Sequence, residues 1–171
     1  AAIKAYGYIV EEKGPQSPYY LDAKRQSRRA KRRQLVSGED YTEEELRKLE
    51  QEYEFFLTEF GRSTVTARII LELAELEALY INDLDKAIAL LNQLIASPNV
   101  HPKVQARGTL SLADYYLMQG EIWEATLLYS QVDKAFKAVM VSTSKTPNVI
   151  EACHAENRIE TLRALSDRLD L

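Results

Sequence analysis

Cys153 and His154 are adjacent, the one place in the chain where a thiol and an imidazole meet in sequence. A nucleophilic thiol needs a base within hydrogen-bond reach and a site for the oxyanion. Neighbours on a helix point about 100° apart, so these two cannot act on one group together. His101 is the only other histidine, and Cys153 therefore reads as an unreactive thiol. One Cys and two His cannot build a tetrahedral zinc site of the Cys and His kind, nor can a single Cys form a disulfide within the chain. The carboxylates Glu43, Glu44 and Glu45 invite an acid–base reading, but they stand where a helix starts, and the helix dipole favours negative charge there. There is no glycine-rich phosphate loop, no HExxH and no GxSxG. The residues predict a non-enzymatic chain with no cofactor and no metal.

One segment carries a strong charge. Lys24 to Arg33 holds seven basic residues in ten, a pattern that suits nucleic acid or an anionic surface. Residues 39–59 hold nine acidic residues and two basic ones. The acidic helix follows the basic one after a short turn, so the two are expected to pack antiparallel and offset each other's charge. Outside the run the chain carries a net −11, which disfavours a broad phosphate-binding face. Nucleic acid is the alternative reading, behind pairing within the fold.

The elements that position these residues are helices. The chain has 171 residues, 46% apolar and 28% charged, with a net charge of −4, the composition of an ordinary globular domain. Gly and Pro are scarce and no stretch alternates with period two, which argues against sheet. No apolar run reaches about 18 residues, so no segment is expected to span a membrane. The opening residues lack the features of a secretory signal and read as the middle of a helix, as though cut from a longer chain. A second helix is expected from about Tyr19 to Val36, with a poor apolar face in Tyr20, Leu21, Ala23, Ala30 and Leu35. Thr42 and Glu45 form a capping box for a third, whose stripe is Leu46, Leu49, Tyr53, Phe56, Leu57 and Phe60. A fourth carries Ile69 to Leu79, a fifth Leu84 to Ile95, a sixth starts at Pro102 and ends at Gln119-Gly120, and a seventh carries Ile122 to Phe136. The aromatic rings at helical spacing are expected in the core. Trp123 is expected either at the surface as a partner anchor or over the turn at Gly120.

The helices repeat. Ala74 and Ala113 lie 39 residues apart and Ala87 and Ala125 lie 38 apart. Each is a small residue where two helix backbones must approach closely. The pattern resembles the tetratricopeptide repeat family, best over Ala106 to Lys137, where Ala113, Tyr116, Gly120, Ala125 and Tyr129 match the family's small, aromatic, turn, small and aromatic positions. Thr109 and Lys137 depart from its early Trp and closing Pro. The preceding unit has Glu77 in place of an aromatic and one extra residue in its turn. The chain also resembles repeat proteins of Bacteroides-type bacteria.

The resemblance implies an all-α, right-handed superhelix (a solenoid) of antiparallel helix pairs. Residues 1–137 would form the array, 138–147 a loop, and 148–171 a capping helix with the stripe Ile159, Leu162, Leu165 and Leu169. It implies a protein-interaction scaffold in a larger bacterial protein, with periplasm or cell envelope favoured over cytoplasm. The partner is a protein or peptide held in a concave groove, and exposed repeat ends would allow a homodimer. Aligned on Ala30, Ala74 and Ala113, the groove positions are Lys24, Arg68 and Arg107, then Leu71 and Leu110 beside Ser27, then Lys31, Glu75 and Asp114. Leu71, Leu110, Glu75 and Asp114 replace the Lys and Asn of chaperone-binding members, so a chaperone's terminal carboxylate is not the expected ligand. The mixed row suggests a peptide carrying basic and apolar groups.

Overall fold

The computed structural model describes the backbone of residues 2–37 and 41–142, and the side chains of 3–35, 37 and 41–135. It is all-α, with no strand among the described residues. The chain divides into two compact units, Ala1–Gly61 and Arg62–Leu171, where the repeat pattern predicts one array over 1–137.

In the first unit, α1 (Ala2–Tyr8) passes into a π-helical turn at Ile9–Lys13 and a 3-10 turn at Gly14–Gln16. The expected break at Gly14-Pro15 is therefore present, with Gly14 at φ +60°, a left-handed conformation that costs glycine little. Helix α2 (Tyr20–Ser37) and helix α3 (Glu43–Phe60) follow. The Thr42 hydroxyl accepts from the Glu45 N–H, and the Glu45 carboxylate accepts from the Thr42 N–H, so the capping box is closed in both directions. Leu46, Leu49, Tyr53, Phe56 and Leu57 are buried, the stripe expected of α3.

Helix α2 is lightly packed, as its poor face predicts. Of its described side chains only Ala23 and Arg28 are buried. Arg28 is tolerated because its guanidinium lies 3.7 Å from the centre of the Phe56 ring, where a cation meets the negative face of an aromatic. Across the helix pair Lys24 bonds Glu59, and Lys31 bonds Glu52 at 2.6 Å. Seven residues forward on α2 is seven residues back on α3, which is antiparallel register.

The box at Thr42 supplies a first expected result. Thr42→Ala is expected to cost about 1 kcal/mol, read from the urea midpoint. The Glu45 carboxyl is held below its ordinary 4.5, first by the Thr42 backbone N–H and then by the Thr42 hydroxyl. A depressed folded value stabilises above the unfolded value and is lost as pH falls through the folded one. Wild type and Glu45→Ala should therefore differ at neutral pH and converge on acidification. A difference that persists well below pH 4 would count against the box.

The second unit holds α4 (Ala67–Leu76), α5 (Leu84–Ala96), α6 (Pro102–Gln119) and α7 (Ile122–Ser142). Each packs on the next, and α4 also touches α6. The expected fourth helix does not stay regular to Leu79. It gives way after Leu76 to a π-helical turn, Glu77–Ile81, closed by Asn82 in the left-handed region and by the Asp83 N–H donating to the Glu77 carbonyl at 2.9 Å. A π turn accommodates one more residue than an α turn. It thus absorbs the extra residue that separates this unit from its neighbour in sequence.

The Asp83 carboxylate caps α5, and His101 Nδ1 accepts from the Lys103 N–H to cap α6 ahead of Pro102. Gly120, at φ +86°, ends α6: its N–H reaches the Leu117 carbonyl and the Glu121 N–H reaches Tyr116, the Schellman closure. Halfway along α6, Gly108 brings the helix against α5. A Cβ there would meet Leu94 Cδ2 at 3.1 Å. Between α6 and α7, Ala106, Leu110, Ala113, Ala125, Tyr129 and Val132 form one buried cluster, flanked by Tyr116 and Leu128. The two alanines sit where the repeat pattern requires small side chains. Helix α7 continues to Ser142, five residues into the loop expected at 138–147. Ala138, Val139 and Met140 contain no breaker. The capping helix expected at 148–171, with Cys153 and His154, lies outside the described residues.

Candidate functional site

The first unit contains an open cleft of about 920 Å³. Helix geometry assembles it. Lys24, Ser27, Arg28 and Lys31 line it from α2, and Lys48, Gln51, Glu52 and Phe55 line it from α3. Each set follows the i, i+3, i+4, i+7 spacing of one helix face. Ile3, Lys4, Gly7 and Tyr8 line it from α1, and Val10, Glu11 and Glu12 from the π turn. A smaller lobe of about 350 Å³ is lined by Gln34, Leu35, Glu45 and Leu49, and shares Lys31, Lys48 and Glu52 with the larger one.

The larger lobe combines charge with exposed aromatic surface. Its lining carries five cationic side chains and three carboxylates. Phe55 is 68% exposed and Tyr8 56%. Lys24 is the most fixed of the cations. It bonds Glu59, and its ammonium lies 4.8 Å from the Tyr20 ring centre and 5.7 Å from those of Phe55 and Phe60. Burial pulls the Lys24 ammonium down, but bonds to Glu59 and Tyr20 outweigh it and hold the group above its ordinary 10.5. That contribution is complete below the unfolded value and disappears as pH rises through the folded one. Lys31 and Lys48 are looser. Lys31 pairs with Glu52 at 2.6 Å with both side chains over 40% exposed, and Lys48 pairs with Glu44 at 2.7 Å with both exposed.

The eight groove residues expected from the sequence divide. Lys24 and Lys31 line the cleft. In the second unit Leu71 and Leu110 are buried, at 4% and 7% exposure, and so belong to the core rather than to an open groove face. Leu110 belongs to the buried cluster between α6 and α7, where leaving water stabilises its apolar side chain. Arg68 is exposed. Arg107 donates to Glu75 at 3.0 Å, so the expected cationic row is partly neutralised within the fold. Asp114 accepts from the Tyr129 hydroxyl at 2.6 Å. The alternative surface, Lys24 to Arg33, is also partly spent on internal pairs: Lys24 with Glu59, Arg25 with Asp22, Lys31 with Glu52, and Arg28 on Phe56. Arg29 and Arg33 are exposed.

Sequence reasoning missed Phe55, Tyr8 and Lys48 as cleft residues. One signal for Phe55 was present. Phe55 and Phe56 are neighbours on a helix and point about 100° apart, so once Phe56 is fixed in the stripe, Phe55 must leave it. Trp123, 85% exposed, does stand at the surface. Among the described residues no cluster of three or more His, Cys, Asp or Glu could hold a metal ion, and no helix is long and apolar enough to cross a membrane. No family model matches the chain, and neither a curated protein nor a solved structure matches it significantly.

Proposed function

We propose that this chain is a non-enzymatic protein-interaction scaffold built from helix pairs of the tetratricopeptide kind, and that it holds a segment of a partner protein. The observation that carries the reading is the cleft of the first unit, with two large aromatic side chains left exposed on its lining. Exposed aromatics in a concave, mixed polar site are the usual anchors of protein recognition. The helix-pair packing around Ala113 and Ala125, with its turn at Gly120, supports the repeat as the underlying unit. Right-handed stacking of such pairs into a solenoid is part of the proposal.

Selection of peptides from a random library on the full chain tests it. The expected result is a recurrent consensus, with binding of the selected peptide lowered by Phe55→Ala. No consensus after repeated rounds would sink the scaffold reading. Exposed Arg29 and Arg33 keep nucleic acid as the competing outcome. Phosphate binding would appear on duplex DNA at about 50 mM salt and fall steeply as salt rises. The scaffold reading expects no such binding.

A further inference from the structure

Helix α7 turns Ala125, Tyr129 and Val132 into the core it shares with α6. Its other side presents a row. Glu124, Leu127, Gln131 and Lys134 follow at spacings of three, four and three, one stripe of a helix. All four are exposed, Leu127 by 61%, and Trp123 beside them is 85% exposed. Two large apolar side chains one turn apart on such a row form an interaction surface. The charges of the row are unmatched within the fold. On α3, exposed Arg47 and Lys48 meet glutamates four residues before them. Glu124 has no base three or four residues away, and Lys134 has no acid. Neither makes an ion pair with a described residue. Asp133 is half-buried and points about 100° away from Lys134, and Glu121 precedes the helix.

The row is complementary to itself. Glu124 and Lys134, Leu127 and Gln131, and Trp123 and Ala135 are three pairs with one midpoint, residue 129. Two antiparallel copies of α7, related by a two-fold axis at that level, bring each Glu124 level with Lys134 of the other copy, about 7.5 Å along the helix from the axis. Each Leu127 comes level with the aliphatic stem of Gln131. Each Trp123 comes level with Ala135, which is exposed and small enough to leave the indole room. A parallel pair would instead set glutamate against glutamate and lysine against lysine, an arrangement that costs stability.

The geometry points to a second copy of this chain as the occupant of the row, in an antiparallel α7–α7 dimer with Glu124 of each copy against Lys134 of the other. The inference goes beyond the scaffold reading, because it uses no residue of the first-unit cleft. A single helix face offers less than the about 800 Å² per partner of a standard interface. The dimer is therefore a weak one, with a Kd of about 100 µM.

Sedimentation equilibrium of the full chain, from about 10 µM to about 1 mM, tests the pairing. The average mass should rise from one chain toward two across that range. Trp123→Ala and Leu127→Ala should each weaken association about tenfold. Thermal melting of the dilute chain should not change, since both side chains are exposed. Lys134→Glu should also weaken association about tenfold, because it sets two glutamates against each other at both ends of the interface. The charge swap Glu124→Lys/Lys134→Glu should restore it to the wild-type level. A parallel pair would respond to neither charge variant in this way, since its like charges stay opposed in both. A chain that remains monomeric at the highest concentration would overturn the assignment and leave the row to another occupant, residues 148–171 among them. Association indifferent to Trp123→Ala and Lys134→Glu, or a swap that restores nothing, would overturn it equally. None of these results decides the scaffold reading, which the library selection and Phe55→Ala test at the cleft.

Discussion

Lys86→Met is expected to destabilise the second unit by about 3 kcal/mol, because removing one member of a buried ion pair costs about 3–5 kcal/mol and Lys86 retains some solvent. Lys86 Nζ lies 2.7 Å from Glu77 Oε1, and the Glu77 side chain is 0% exposed while that of Lys86 is 32% exposed. The pair spans the π turn that joins α4 to α5, with Glu77 opening the turn and Lys86 lying in the first turn of α5. Charge at the turn is therefore coupled to the geometry that absorbs the extra residue. For a chain of this size the loss corresponds to a fall in Tm of about 6–12 °C. The double variant Glu77→Met/Lys86→Met removes both charges at similar volume, and should recover most of the loss, since replacing a buried pair by apolar groups is often near neutral. Thermal melting by circular dichroism reads all three proteins. A single variant within about 1 kcal/mol of wild type would show that the pair contributes no more than a surface contact does. A double variant as unstable as the single would mean that the π turn itself requires the carboxylate.

The legible and illegible parts of this chain differ for physical reasons. Turn chemistry was readable because it is local: the Thr42–Glu45 box, Pro102 at the start of α6, and Gly120 at its end each act within a few residues of themselves. The α6–α7 core was readable because Ala113, Ala125 and Tyr129 carry a spacing that only helix pairing explains. The π turn was visible only as a misfit, one residue too many and an acid in place of an aromatic. Nothing in the sequence says that Glu77 would be buried against a lysine nine positions on. Two residues of the groove row, Leu71 and Leu110, are buried for a related reason. Spacing gives the direction of a side chain from its own helix, but whether Leu71 and Leu110 meet solvent depends on the neighbouring helices. Similarly, Lys24, Lys31 and Lys48 are recognisable as cations from the sequence, whereas their meeting in one cleft requires the antiparallel register of α2 and α3. The division at Gly61 had no compositional marker beyond the glycine that ends α3.

Tyr129→Ala should be the most damaging substitution in the α6–α7 pair, costing about 3–5 kcal/mol by analogy with large aromatic truncations in cores. Tyr129 is 0% exposed within the cluster of Ala106, Leu110, Ala113, Ala125 and Val132. Its ring fills the space that two alanines leave between the helices, and its hydroxyl donates to Asp114 Oδ1 at 2.6 Å, tying α7 back to α6. Tyr129→Phe keeps the ring and loses that bond, for which about 1.5–3 kcal/mol is the usual loss when one partner is charged. The order Tyr129→Ala below Tyr129→Phe below wild type separates packing from hydrogen bonding. Ala113→Leu tests the other side of the same fit: a larger side chain at the close approach should overpack the pair and cost about 1–3 kcal/mol. Urea unfolding followed by hydrogen exchange at α6 and α7 amides reads the second unit without averaging over the first. If Tyr129→Ala were no worse than Tyr129→Phe, the ring would be carrying little, and small residues at 113 and 125 would no longer imply a close helix pair. Tolerance of Ala113→Leu at wild-type stability would weaken the repeat reading in the same way, because that reading depends on the backbones meeting at this point.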